Sequence, residues 1–81
     1  MRILLSYPTE IGIFDIGQCE ERKYHPIFND ESLGSYASIQ EAVDNLVANK
    51  TVTIIHFETK EKIDTSKLDI PQDYTQWDCA Y

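Results

Sequence analysis

Cys19, His25, His56 and Cys79 are the residue types from which zinc sites are built. Such sites draw their ligands from close pairs, Cys-x-x-Cys or His-x₃₋₅-His. The chain has neither pair, and its four candidates are scattered from residue 19 to residue 79. They read as two strand histidines and two ordinary thiols. A Cys–His nucleophile needs only adjacency in space. Glu20 and Glu21 follow Cys19 directly, and Asp78 precedes Cys79; carboxylates repel the thiolate that such chemistry requires. A thiol- or metal-dependent hydrolase is therefore the weakest of three functional readings. No catalytic, cofactor-binding or metal-binding residue is assigned, and the chain is not read as an enzyme.

The remaining chemistry lies in carboxylates and aromatics. Asp30-Glu31 lacks calcium-loop spacing; Asn29-Asp30-Glu31-Ser32 reads as a turn capped by its own side chains. Asp69, Asp73 and Asp78 read as helix-end or solvated charges. Tyr24, Phe28, Tyr36, Phe57, Tyr74 and Trp77 could form a stacking platform for single-stranded nucleic acid, but such platforms sit beside basic grooves. Here 14 Asp and Glu oppose 7 Lys and Arg, a net charge of −7. That balance disfavours phosphate binding, so the aromatics are assigned mainly to a core. Tyr7, Tyr24 and Tyr81 are expected to remain exposed. With Glu20, Glu21, Asp30 and Glu31 they form the candidate interaction surface, since tyrosine beside carboxylate suits a protein interface. The acidity keeps a small domain soluble, and it also steers toward a basic partner.

These residues must be positioned by one small domain, residues 1–81. A chain of this length buries only about 60–65% of its unfolded surface, enough for a single core. The N-terminal apolar run, Ile3-Leu4-Leu5, is too short for a signal peptide or a spanning helix. A cytoplasmic protein with free thiols and no membrane contact is expected. Residues 11–16 read as a strand closed by Gly17, and residues 18–23 as a polar loop. Residues 24–28 form a second strand, in which Pro26 marks an edge or a bulge. Residues 33–37 form a third, with Leu33, Ser35 and Ala37 on one face.

The helix has the clearest signature. Ser38-Ile39-Gln40-Glu41 matches a capping box. Ile39, Ala42, Val43, Leu46 and Val47 make one apolar stripe. Asn49 suits a left-handed terminator, so the helix should run over about 39–49. Residues 51–57 read as a further strand. Asp64–Leu68 has the residues of a short helical turn, and Pro71 opens another. Leu68, Ile70 and Trp77 in this tail should wrap back onto the core. The fold class is therefore α+β: a three- to four-stranded, mostly antiparallel sheet, one amphipathic helix on one face, and a C-terminal tail with short helical turns.

Residues 24–77 resemble a set of small uncharacterised bacterial proteins. The likeness rests on Tyr24, Phe28, Asp30-Glu31, Leu33-Gly34-Ser35-Tyr36-Ala37-Ser38, Ala42, Leu46, and Ile70-Pro71-Gln72-Asp73-Tyr74-Thr75-Gln76-Trp77. Asn49 departs from the glycine that pattern has after the helix, and Tyr24 from its tryptophan. The resemblance implies structural positions and brings no activity. A weaker one, to the plant ethylene-response DNA-binding domain, is limited to a three-stranded sheet followed by a helix. That domain reads DNA with arginines on its sheet, and this chain has only Arg2 and Arg22. Fold likeness does not carry function.

Three readings follow. The leading one is a non-catalytic small acidic protein that engages a protein partner, a basic one being the natural match, without binding nucleic acid itself. The second is an acidic inhibitor of a nucleic-acid enzyme, of the immunity-protein, antitoxin or phage-inhibitor kind, acting as a partial DNA mimic. The hydrolase is third.

Overall fold

The computed structural model describes residues 1–51, the backbone of 54–55, and residues 62–79. His56, Phe57, Tyr81 and most of the strand expected over 51–57 lie outside the described residues. The chain is α+β. Strands β1 (Arg2–Thr9), β2 (Gly12–Gln18), β3 (Tyr24–Phe28), β4 (Glu31–Ser32) and, after the helix, β7 (Asp78–Cys79) form one antiparallel sheet in the order β4-β3-β2-β1-β7. Helix α1 (Ile39–Val47) packs on β2 and β3. Strands β5 (Ile54–Ile55) and β6 (Lys62–Ile63) pair separately. Two 3-10 turns, Thr65–Lys67 and Tyr74–Gln76, lead back to β7.

The sheet has five strands, not three or four. One of the added strands is β1, whose sequence hides its alternation. A register shift between Ile3 and Leu5 makes Leu4 an extra residue. Such a bulge turns consecutive side chains toward one face, and Leu4 and Leu5 both join the core. The other is β7, a two-residue pairing that brings Cys79 opposite Leu5 and Asp78 opposite Ser6.

The third expected strand, residues 33–37, is corrected to β4 plus a single bridge. Asn29 and Asp30 both take positive φ, 52° and 63°. This two-residue hairpin turn matches the natural strand twist and pairs Phe28 with Glu31. Gly34 then leaves the strand at φ 155°, and Tyr36 returns to bridge Tyr24. Leu33 is buried while Ser35 and Ala37 are exposed, so those three do not share a face. Pro26 sits inside β3 rather than on the sheet's outer strand. Its carbonyl accepts from the Leu33 N–H at 2.7 Å, so its missing donor faces the point where the chain departs at Gly34.

The helix starts as its cap requires: the Glu41 N–H donates to Ser38 Oγ at 3.1 Å. It stops at Val47, two residues short of Asn49. Asn49, at φ 59°, ends it in a Schellman motif, with N–H bonds from Asn49 to the Leu46 carbonyl and from Lys50 to that of Asn45. The tail adds its own stop. The buried Thr65 hydroxyl donates to the Leu46 carbonyl, and the Thr65 N–H to Asn49 Oδ1 at 3.3 Å. Pro71 does not open the second turn; Asp73 caps it by accepting from the Thr75 N–H. Trp77 and Ile70 are buried and Leu68 is packed against the core, as the tail composition implies.

Alternation along β2 divides the sheet's two faces. Phe14 and Ile16, fully buried, face the helix. Phe14 stacks on Phe28 with ring centroids 4.6 Å apart, and Leu46, Val43 and Ala42 complete this core. Ile13, Asp15 and Gly17 point to the opposite face, which no helix covers among the described residues.

Candidate functional site

The uncovered face is where chemistry-bearing side chains converge. Gly17 is its low point. A Cβ there would lie 2.7 Å from Met1 Sδ and 2.9 Å from Ile27 Cδ1, so both side chains occupy the space that glycine leaves. Ile27 is buried yet stands outside the main core cluster. It belongs with Met1 and Ile3 to a second, smaller apolar floor. Met1 remains 63% exposed on top of it.

Two adjoining grooves share Met1. One, of about 360 Å³, is lined by Met1, Ile3, Asp15, Ile27, Asp30 and Ser32. The other, of about 470 Å³, is lined by Met1, Cys19, Glu20, Glu21 and His25. Ser6 lies opposite Asp15 in the ladder, and its hydroxyl donates to the Asp15 carboxylate at 2.5 Å. His25 Nδ1 is 2.9 Å from Ser32 Oγ. The Ser32 hydroxyl already donates to the Gly34 carbonyl at 3.0 Å, so the imidazole is the donor and its proton is on Nδ1. His25 Nε2 is buried with no hydrogen-bond partner among the described residues. The charged side chains lining the two grooves are four carboxylates, Asp15, Asp30, Glu20 and Glu21.

The seven expected interaction residues are only partly brought together. Glu20 and Glu21 are exposed in the β2–β3 loop and Asp30 in the β3–β4 turn, at opposite ends of β3. All three line the uncovered face. Glu31 is exposed but pairs with Phe28, which directs it to the helix side. Tyr7 and Tyr24 are corrected from exposed to half-buried. Tyr7 packs against Trp77 with ring centroids 5.8 Å apart, and both tyrosines lie against the main core. Their places in the register, opposite Phe14 and Gln18, send them inward. Tyr81 lies outside the described residues.

Met1, Ile3, Asp15, His25 and Ile27 were not expected at a site. The alternation of β2 signals Asp15, since it falls between Phe14 and Ile16. Nothing in the sequence signals Met1. Cys19 and Cys79 are free thiols. Among the described residues no three His, Cys, Asp or Glu side chains group as a metal-ion set, and no helix is long and apolar enough to cross a membrane. No family model, curated protein or solved structure matches the chain.

Proposed function

We propose that this chain is a non-catalytic binding module that docks a basic protein partner on the uncovered face of its sheet. One observation carries the reading. The described side chains lining the two grooves include Asp15, Glu20, Glu21 and Asp30 and no lysine or arginine, around an apolar floor. An apolar centre with a charged rim is the usual anatomy of a protein interface. The four rim carboxylates, reinforced by a net charge of −7, favour encounter with a basic surface. The free thiols fit a reducing compartment.

The acidic-inhibitor reading stands second. A DNA mimic needs a continuous carboxylate row, and here two acidic ends are separated by the apolar Met1–Ile27 floor. The test is affinity capture from native lysate with mass spectrometry, using wild-type protein and a Glu20→Gln/Glu21→Gln/Asp30→Asn variant. A basic protein retained by the wild type, lost on the variant and released by salt is the expected result. Capture indifferent to the three substitutions would remove this face from consideration. Recovery of a nuclease or other DNA-binding enzyme would promote the second reading.

A further inference from the structure

Resting on that reading, we infer that the occupant of the uncovered face is an amphipathic, basic α-helix of the partner, laid along β3. Four observations select a helix over other occupants.

Among the described residues, the strands at the centre of the floor already have their backbone groups in ladders. β2 is paired on both sides, β3 is flanked by β2 and by β4 and Tyr36, and β7 covers the centre of β1. An extended segment lying across this face would leave its own N–H and C=O groups unpaired where water is excluded. A helix satisfies its backbone internally and presents only side chains.

The spacing fits as well. Glu20 and Glu21 precede β3 and Asp30 follows it. A five-residue strand at about 3.3–3.4 Å per residue spans roughly 17 Å. At 1.5 Å rise per residue that is about three helical turns, or about 11 residues. A helix with cations near both ends would reach both acidic ends at once. The residues between them, Met1, Ile3 and Ile27, meet the apolar stripe of such a helix.

Helix α1 covers one face of the sheet, and among the described residues no helix covers the other, so a partner's helix there would form a third layer. A second copy of this chain is a poor occupant, because pairing the face with itself would set Asp15, Glu20, Glu21 and Asp30 against their own duplicates.

An 18-residue model peptide tests this directly. It carries leucine at i, i+3, i+4 and i+7 and lysine and arginine near both ends; a scrambled peptide of the same composition is the control. Fluorescence anisotropy reports binding and circular dichroism reports helix induction. The patterned peptide should bind, gain helicity on binding, and exceed the scrambled peptide in affinity by at least about tenfold. Ile3→Ser should weaken the patterned peptide alone. Glu20→Gln/Glu21→Gln should weaken both and reduce the salt dependence. Thermal melts of each variant separate lost binding from lost folding. Equal binding of the two peptides would overturn the helix and leave the basic-partner reading standing. Failure of both peptides, with a captured partner still sensitive to Glu20, Glu21 and Asp30, would do the same. Failure of both with capture insensitive to those residues would overturn helix and partner reading together.

Discussion

Thr65 shows how a single polar side chain holds two segments together. It is 2% exposed, and its hydroxyl donates to the Leu46 carbonyl at the end of the helix. That carbonyl also accepts from the Asn49 N–H of the Schellman motif, so the hydroxyl adds a second bond at the helix C-terminus. Thr65→Val keeps the volume but removes the donor. It should cost about 0.5–1.5 kcal/mol, the net worth of one hydrogen bond, measured by urea denaturation; no change would show that the Asn49 N–H alone satisfies the carbonyl. Asp64 and Asp73 act similarly at the two 3-10 turns. The Ser66 hydroxyl and then its N–H lower the Asp64 pKa, and those of Thr75 lower the Asp73 pKa, from an ordinary 3.8. The folded state thus favours the charged forms. Their stabilisation is present above the ordinary value and lost as pH falls through the folded one. Asp64→Asn and Asp73→Asn, which keep a capping oxygen, should flatten the acid limb of a stability–pH curve below about pH 4. An unchanged limb would show that the turns do not discriminate charge.

At the scale of elements, helix α1 depends on its cap and its stripe in different ways. Nine residues do not hold a helix unaided. The Ser38 cap satisfies one open donor, and Ser38→Ala should cost about 0.5–2 kcal/mol. Leu46 is fully buried within the cluster that holds Phe14 and Phe28. Leu46→Ala should cost about 2–5 kcal/mol through lost transfer energy and a cavity. Thermal and denaturant melts of the two variants should rank Leu46 well above Ser38; the reverse order would mean that local capping outweighs packing on the sheet. The tail belongs to this scale too. Gln40 Nε2 donates to the Gln72 carbonyl at 3.0 Å, and Gln72 Nε2 donates to Asp44 Oδ1 at 3.1 Å, tying the tail across the helix.

For the whole molecule, the decisive contact is the return of the C-terminal tail to the first strand. Trp77 is 5% exposed, its indole N–H donates to the Pro71 carbonyl at 3.0 Å, and its ring meets Tyr7. Trp77→Ala should cost about 3–5 kcal/mol, a large share of the roughly 4–12 kcal/mol available to a domain of this size. It should also free β7 from β1, read as faster exchange of the β1 amide that faces β7. A melt unchanged by the substitution would show that the tail is an accessory. Cys79 reports on the same region: on the exposed edge it should react with a thiol reagent faster than the half-buried Cys19 of the β2–β3 loop. Equal rates would contradict the tail's placement.

Helix α1 was legible in the sequence because its signals are local. The cap at Ser38, the stripe from Ile39 to Val47 and the left-handed Asn49 all act within a few residues of one another. The β3–β4 turn was legible for the same reason, since Asn29 and Asp30 tolerate positive φ by themselves. The inward return of Ile70 and Trp77 followed from their apolarity. Strands β1 and β7 were not legible. A bulge at Leu4 cancels the period-two pattern of β1, and a two-residue strand has no pattern at all. Tyr7 and Tyr24 were misplaced because exposure depends on register, and register is set between strands rather than along one. The candidate site followed the same division. Glu20, Glu21 and Asp30 announced themselves by charge at loop positions. Their union with Met1, Ile3, Asp15 and Ile27 over Gly17 arose only when three strands paired, because residues distant in sequence share a face only through the ladder that joins them.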